Sequence, residues 1–276
     1  MSSTFTETEP LATTTAQPLA VVTGASSGIG LELAKRFVRA SYDLIIVSEN
    51  EQKLTAAAQQ LMQLDASRDI ELVATDLSTS DGVNELYDAI LKLGRPVDVL
   101  AANAGVGVSG EFAAETDLDE EIALINLNVT SQVHLIKLVS RDMVERGSGD
   151  ILITSSIAGL LPGPRMAVYA ASKAFLRSFG QAIRNELKDK GVNVTVLMPG
   201  PTDTEFFERA DMLDTKVAQG DKQDPAEVAE AAFAALRDRD DHVVPGARNK
   251  LQAGMAKFLS DEAQTKLHGA QTARRE

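Results

Sequence analysis

Three residues with complementary proton chemistry occur at a fixed spacing in the second half of the chain. Tyr169 and Lys173 are four positions apart, and Ser156 lies thirteen positions before the tyrosine. Residues four apart share one face of a helix, so the ammonium would stand beside the phenol. A nearby cation favours phenolate and is expected to lower the tyrosine pKa from about 10, which suits a general acid or base. Taken alone, the pair is typical of any surface helix.

A glycine-rich turn near the N-terminus gives these residues a context. Residues 23–30 read Thr-Gly-Ala-Ser-Ser-Gly-Ile-Gly and follow a short apolar run. Glycines let backbone N–H groups approach a pyrophosphate, which the N-terminal end of a helix also favours. The turn therefore predicts a dinucleotide site, with a purely structural strand-to-helix turn as the alternative. The predicted contacts are Gly24, Ser26, Ser27, Gly28, Ile29 and Gly30.

Short apolar runs alternate with helical patterns along most of the chain. We predict strands at residues 19–23, 43–48, 70–74, 97–101, 150–155, 193–198 and 242–244. We predict helices at residues 29–39, 51–64, 82–93, 118–145, 168–190 and 225–237. Nearly continuous Val, Ile and Leu is typical of strands that are covered on both faces. The pattern predicts an α/β fold with a doubly wound parallel sheet, which is the Rossmann fold.

The chain is expected to form a single domain over residues 19–245, because no shift in composition divides it. Residues 1–18 lack Lys, Arg and hydrophobic periodicity, so we expect a disordered leader and neither a secretory signal nor a transit peptide. Residues 203–224 are expected to form a substrate loop. Residues 246–276 are expected to form one amphipathic helical tail, with Leu251, Met255, Phe258 and Leu259 on its apolar side.

Charge and composition exclude several classes of partner. The 276 residues carry 27 Lys and Arg against 40 Asp and Glu, a net charge of −13, which disfavours nucleic acid and anionic membranes as partners. No apolar run approaches the ~20 residues of a membrane span. The absence of cysteine fits a reducing compartment, and a cytoplasmic location is expected. His134, His242 and His268 are scattered, so we expect no catalytic metal.

The motifs together resemble the short-chain dehydrogenase/reductase family, in its single-domain branch of ~250 residues. The resemblance covers residues 19–245. It rests on residues 23–30, Asp76-Leu77, Asn103-Ala104-Gly105, Asn126, Ser156, Tyr169 with Lys173, and Pro199-Gly200 followed by Thr204. Ala102 departs from the family pattern, which usually has a further Asn there.

The resemblance implies a role for each catalytic residue. Tyr169 would protonate the carbonyl oxygen during reduction, and Lys173 would also bond the nicotinamide ribose. Ser156 would donate to the developing alkoxide, an oxyanion-stabilising role. Its neighbour Ser155 should point to the opposite face of the sheet. Asn126 would bind a water that continues the proton path, whereas Asn128 is interpreted as structural.

The remaining cofactor contacts are also implied by the resemblance. The loop after the sixth strand would hold the nicotinamide carboxamide, and the acidic residue after the third strand would meet the adenine. The residues concerned are Asp76, Leu77, Asn103, Ala104, Gly105, Pro199, Gly200, Thr202 and Thr204, together with Tyr169 and Lys173.

Glu49 bears on the choice between the two nicotinamide dinucleotides. It follows the second strand, where a side chain contacts the adenosine ribose. A carboxylate would repel a 2′-phosphate, and Ser27 takes the place of a basic residue beside the second glycine, so NAD(H) is favoured and NADP(H) is the alternative. Ser48 stands where Asp most often marks NAD preference, and Lys53 could still meet a phosphate.

The expected activity is NAD(P)-dependent interconversion of a small-molecule carbonyl and an alcohol, in a homodimer or homotetramer. The alternatives are a non-catalytic dinucleotide sensor and an epimerase or dehydratase that uses the same tyrosine and lysine. Arg165 could steer an anionic substrate, although a solvated arginine is the simpler interpretation. The apolar pocket is expected to include Leu160, Leu161, Met166, Phe206, Phe207, Met212 and Leu213.

Overall fold

Seven parallel strands form one sheet in the computed structural model, which describes residues 17–256 and 260–274. The strands run in the spatial order β3-β2-β1-β4-β5-β6-β7. Their bounds are β1 Leu19–Thr23, β2 Asp43–Ser48, β3 Ile70–Ala74, β4 Val99–Ala102, β5 Gly149–Thr154, β6 Val192–Leu197 and β7 His242–Val243. The predicted doubly wound parallel sheet is confirmed.

Helices cover both faces of this sheet. Their bounds are α1 Gly28–Arg39, α2 Glu51–Leu64, α3 Ser80–Lys92, α4 Leu118–Ile125, α5 Ser131–Arg146, α6 Ala167–Leu187, α7 Phe206–Arg209, α8 Lys216–Gln219, α9 Pro225–Arg237, α10 Ala247–Ala256 and α11 Asp261–Thr272. A π-helical turn, Asn126–Thr130, joins α4 to α5. Short 3₁₀ segments occur at Ile157–Leu160 and Lys188–Lys190.

Each central strand divides its side chains between two cores, because successive residues point to opposite faces. In β1, Val22 packs in a cluster with Phe37 of α1, whereas Val21 packs in a second cluster with Leu135 of α5. The continuous apolar character of the central strands follows from this two-sided burial. The helices packed on the two faces of the sheet fix the positions of the strand ends relative to one another.

The strand order reverses between β1 and β4, which are neighbours although β2 and β3 intervene in sequence. Such a switch point opens a crevice at the carboxyl ends of the strands, because successive crossovers leave to opposite faces. The turns after β1, β4, β5 and β6 all converge on this edge. The glycine turn and the Ser156, Tyr169 and Lys173 group are brought to it from opposite halves of the chain.

Two elements depart from the predicted pattern. The strand β3 is the edge of the sheet and is not covered on both faces, so Leu72 is 38% exposed. The predicted helix over 118–145 is continuous but contains the π-helical turn at Asn126–Thr130, which sequence periodicity did not indicate. An inserted residue of this kind shifts the helix register and is frequent at functional sites.

The tail forms two helices, α10 and α11, and not the single helix that was predicted. Leu251 is 66% exposed, so it does not form a packed apolar face. The side chain of Met255 and the residues Phe258 and Leu259 lie outside the described residues. So do residues 1–16 of the leader that was predicted over residues 1–18.

The helical stretch Leu118–Arg146 is long and apolar enough to cross a membrane by length and composition, with a mean hydropathy of 1.3 in its most apolar window. The core helix of a soluble protein meets the same test. Ile136, Val139 and Met143 of this stretch pack against the sheet in the second core cluster. The apolar character is therefore accounted for by packing in the fold.

Candidate active site

Side chains at three strand ends are joined by hydrogen bonds across the carboxyl edge of the sheet. Thr23 Oγ1 accepts from the backbone N–H groups of Asn103 (2.9 Å) and Ala104 (3.0 Å). The amide of Asn103 donates to the Thr23 carbonyl (3.1 Å) and accepts from Thr154 Oγ1 (3.1 Å). The carbonyl of Thr154 accepts from Lys173 Nζ (3.1 Å). These hydrogen bonds form a frame that holds the glycine turn and α6 in fixed positions relative to each other.

The glycine turn leaves its backbone open toward the crevice. Gly24 (φ +67°) and Gly28 (φ +55°) adopt left-handed backbone that favours glycine. A Cβ at Gly30 would stand 2.1 Å from the Gly24 carbonyl oxygen. The Ser27 side chain does not cap α1, so the first N–H groups of this helix face the crevice without a capping hydroxyl. This cradle fits a dinucleotide pyrophosphate.

Ser156 and Tyr169 meet at the deep end of the crevice. Tyr169 lies in the first turn of α6 and is buried, as is Ser156. Burial raises the pKa of Tyr169 to about 12, and the hydrogen bond with Ser156 acts in the opposite direction. Ser155 turns away, because its hydroxyl donates to the Lys173 carbonyl (2.6 Å). The structure thus brings Ser156, and not Ser155, to the tyrosine.

Lys173 stands one helical turn beyond Tyr169, with Nζ 5.7 Å from the centre of the phenol ring. Burial lowers the pKa of Lys173 to about 8. The predicted lowering of the Tyr169 pKa by this cation is wrong for this arrangement, since desolvation of the phenol outweighs every opposing influence. The ammonium is directed to the Thr154 carbonyl and not to the phenol oxygen.

Asn128, and not Asn126, reaches the site. Its Oδ1 accepts from Val106 N–H (2.9 Å), and its Nδ2 donates to the Val106 carbonyl (2.9 Å) and to Ser172 Oγ (3.1 Å). A Cβ at Gly105 would stand 3.0 Å from Asn128 Oδ1 and 3.2 Å from Lys173 Nζ. Asn126 is half-buried on another face of the π-helical turn. The asparagine that lies beside Gly105 and Lys173 is therefore Asn128, which was interpreted as structural.

Every residue that was predicted to bind the cofactor lines one continuous crevice. The set comprises Gly24, Ser26, Ser27, Gly28, Ile29, Gly30, Glu49, Asp76, Leu77, Asn103, Ala104, Gly105, Tyr169, Lys173, Pro199, Gly200, Thr202 and Thr204. The carboxylate of Asp76 also accepts from the backbone N–H and the hydroxyl of Ser78, so it closes its own turn. Apart from Asp76, Glu49, Asn103, Tyr169 and Lys173, the set offers backbone amides, hydroxyls and aliphatic side chains.

An ionic cluster that sequence patterns did not indicate lies at the adenosine side of the crevice. Glu205 accepts from Lys53 Nζ (2.8 Å) and from the Arg209 guanidinium. Arg209 also donates to Ser27 Oγ (3.4 Å). Hydrogen bonds from Lys53 and then Arg209 hold the pKa of Glu205 below its ordinary value. Lys53 and Glu205 are 152 positions apart, so no local signal connects them.

The other end of the crevice is largely apolar. Leu161, Met166, Phe207 and Met212 line it as predicted, and the ring centres of Phe206 and Tyr169 are 5.2 Å apart.

Leu213 is 59% exposed, and Leu160 packs in a separate apolar cluster, so the described part of the crevice wall includes neither. Arg165 pairs with Glu111 and Glu115 and its side chain is only 20% exposed, so it is neither a free charge for an anionic substrate nor the solvated arginine of the simpler interpretation. The tail contributes residues to the wall that were predicted to be structural or went unassigned. They are Gln252, His268, Gln271 and Thr272.

Comparison with known proteins agrees with this architecture. A family model described as short chain dehydrogenase matches residues 18–212. Sulfoacetaldehyde reductase 2 of Chromohalobacter salexigens is 32% identical over 189 residues, which are 68% of this chain and 74% of that protein. Among solved structures, a short-chain dehydrogenase from Sphingobium yanoikuyae in complex with NADPH has a TM-score of 0.77 at 28% identity, covering 88% of this chain and 96% of the other. The bulky-bulky ketone specific alcohol dehydrogenase from Comamonas testosteroni has a TM-score of 0.73 at 27% identity, covering 87% and 92%.

The two asparagines provide a matched test of the corrected placement. Asn128→Ala would leave buried groups of Val106 and Ser172 without partners, so the free energy of unfolding should fall by about 1–3 kcal/mol or more. Asn126→Ala should stay within about 0.5 kcal/mol of the parent protein. Urea unfolding of the three proteins measures both effects. Equal losses for the two variants would contradict the placement of Asn128.

Proposed function

Since the chain belongs to the short-chain dehydrogenase family, we propose that it interconverts a carbonyl compound and an alcohol with a nicotinamide dinucleotide, using Tyr169 as the general acid and base. One observation carries the proposal: Ser156, Tyr169 and Lys173 meet at the buried end of the crevice that begins at the glycine turn. A protein that only senses dinucleotides has no need for these three groups together.

The proposed reduction uses the side chains in a fixed order. When held in this crevice by the glycine turn and Lys173, a reduced nicotinamide would supply the hydride that the carbonyl carbon needs. Tyr169 gives its phenolic proton to the carbonyl oxygen as the negative charge develops there, and Ser156 donates a hydrogen bond to that oxygen. Lys173, as an ammonium 5.7 Å from the ring centre, stabilises the phenolate that remains. Reprotonation of the phenolate completes the cycle.

The protonation states favour reduction near neutral pH. With the pKa of Tyr169 at about 12, the phenol holds the proton that it must donate at pH 7. With the pKa of Lys173 at about 8, most of the lysine is still a cation at pH 7. Oxidation of an alcohol would instead need the phenolate as base, so the oxidative rate should rise with pH where the reductive rate does not.

Substitution of the tyrosine tests the acid and base role directly. Tyr169→Phe should lower kcat for ketone reduction by about 10²–10⁴-fold, because the proton donor is lost and the ring is retained. Dinucleotide affinity, followed by nicotinamide fluorescence, should stay near that of the parent protein. Tyr87→Phe is the matched control, since the Tyr87 hydroxyl bonds Asp142 away from the crevice. Full turnover by Tyr169→Phe would contradict the role.

For the cofactor we propose NAD(H), on the balance of charge at the adenosine side. Lys53 and Arg209 are cations, but Glu205 bonds both of them, and Glu49 adds a second carboxylate to the crevice wall. Two cations and two carboxylates leave no excess positive charge for a 2′-phosphate. The Sphingobium yanoikuyae relative is in complex with NADPH. Glu49 is the feature of this chain that argues for NAD(H) instead of NADP(H).

Two substitutions test this balance by titration with NADH and with NADPH. Glu49→Arg should improve NADPH binding relative to NADH by about tenfold, since it replaces a repulsive charge with an attractive one. Glu205→Gln should move the ratio in the same direction by releasing Arg209. Glu51→Gln, one residue into α2, is the control and should change nothing. Tighter binding of NADPH than NADH by the parent protein would overturn the NAD(H) proposal.

We propose an uncharged ketone, aldehyde or secondary alcohol with an apolar body as the substrate. Leu161, Met166, Phe207 and Met212 form an apolar wall. Arg165, the cation nearest in sequence to this wall, is paired with two carboxylates and does not offer a free charge to a sulfonate. This chemistry is closer to the ketone named for the Comamonas testosteroni enzyme than to sulfoacetaldehyde.

We further propose a homodimer or homotetramer formed through the long helices. Ile122, Ile125 and Phe175 are 47%, 37% and 40% exposed on α4 and α6, which is typical of surfaces that pair with a second subunit. Light scattering should give two or four times the chain mass of 29.4 kDa, and Phe175→Asp should reduce it. A monomer for the parent protein would contradict the proposal. The cytoplasmic location stays a prediction.

A further inference from the structure

The helix α11 is tied to both walls of the apolar end of the crevice. On one wall, Thr272 Oγ1 donates to the Pro164 carbonyl (2.9 Å). On the other, the backbone N–H of Lys216 donates to the Ala273 carbonyl (3.3 Å), and Arg274 pairs with Asp211 (3.0 Å). These contacts hold the helix in place as a third wall of the proposed substrate pocket.

His268 is the titratable side chain that α11 adds to this wall. It is buried, and it lines the crevice. Its Nδ1 lies 3.0 Å from the Pro162 carbonyl oxygen, which can only accept, so Nδ1 carries the proton. Burial lowers the pKa of His268 below its ordinary value, so the ring is neutral at pH 7. The second nitrogen, Nε2, therefore offers a lone pair as an acceptor.

The imidazole stands close to the residue that follows the proposed proton donor. A Cβ at Gly163 would meet Ala170 Cβ at 2.7 Å on one side and His268 Cε1 at 3.1 Å on the other. The His268 ring and Ala170, the residue after Tyr169 in α6, are therefore separated only by Gly163. His268 and Tyr169 both line the crevice, so one substrate can contact both side chains.

Within the described part of the chain, Nε2 of His268 has no hydrogen-bond partner. A buried acceptor that remains unpaired after a ligand has displaced water costs about 1–3 kcal/mol. The apolar walls around it would impose the same cost on a substrate hydroxyl placed there without a partner. The two costs are both removed when a substrate hydroxyl donates to Nε2.

We propose that His268 Nε2 accepts a hydrogen bond from a hydroxyl group on the substrate, so that the enzyme selects apolar ketones that carry a hydroxyl away from the reacting carbonyl. This inference rests on the proposed function and adds a substrate class to it. His268 acts in specificity and takes no part in proton transfer. A site that hydrogen-bonds a substrate hydroxyl discriminates strongly against analogues that lack the donor, because its own acceptor is then left unpaired.

The test compares two ketones of matched shape and electronic character, 4-hydroxyacetophenone and 4-methoxyacetophenone. Both place an oxygen at the far end of the ring, and only the hydroxyl can donate. The parent protein should prefer the hydroxy ketone by about fivefold or more in kcat/KM. His268→Asn keeps a donor for the Pro162 carbonyl, but its side chain is too short for the amide oxygen to reach the position of Nε2, so the preference should fall to near one. His242→Asn, at an exposed histidine of β7, is the control and should keep it.

The outcomes separate this inference from the function on which it rests. An unchanged preference in His268→Asn, or equal rates for the two ketones with the parent protein, would overturn the role of His268 while ketone reduction stands. Absence of any ketone turnover by the parent protein, with dinucleotide bound, would overturn the proposed function and this inference together. Dinucleotide titration reports whether His268→Asn is folded. If it is not, His268→Phe takes its place, since a phenyl ring keeps the shape of the side chain without any acceptor, and retention of the full preference would count against the role.

Discussion

The hydrogen bonds that join the ends of β1, β4 and β5 are the constraint on which the site depends. The last carbonyls of parallel strands have no partner in the sheet beyond the strand ends, and here side chains take that place. Asn103 links the Thr23 carbonyl to the Thr154 hydroxyl, and Lys173 caps the Thr154 carbonyl. Thr23, at one end of this series of hydrogen bonds, leads into the glycine turn, and Lys173, at the other end, lies on the same helix as Tyr169. The sheet, and not the loops, therefore fixes the distance from the glycine turn to Tyr169.

Burial then sets the chemistry of the groups that the frame positions. Removal of the phenol from water raises the pKa of Tyr169, and removal of the ammonium lowers that of Lys173. The two shifts have opposite signs because each disfavours a charged form. At neutral pH both groups therefore keep their protons, which is the state that a proton donor needs. In the proposed reaction, the same burial would exclude water from the reacting oxygen and strengthen the hydrogen bond from Ser156 to it.

The fold and the core of the site could be predicted because their signals are local. The bounds of α2 and α9 agree with the prediction, and the glycine turn, Ser156, Tyr169 and Lys173 lie where spacing placed them. The choice of asparagine could also have been made from the sequence. Leu124, Asn128 and Gln132 are spaced by four and share the buried face of the helix, a pattern that excludes Asn126. The family pattern alone directed the assignment to Asn126, whereas the structure places Asn128 beside Lys173.

Contacts between segments that lie far apart in the sequence could not be predicted, because no periodicity connects such segments. Lys53 meets Glu205 across 152 positions, and His268 meets the Pro162 carbonyl across 106. Both contacts involve parts of the chain that surround the frame and are not part of it. The family match ends at residue 212, before α8 to α11 begin. The matched region therefore holds Ser156, Tyr169 and Lys173, whereas α11, which lies outside it, adds His268 to the wall of the crevice and with it the acceptor that we propose distinguishes one ketone from another.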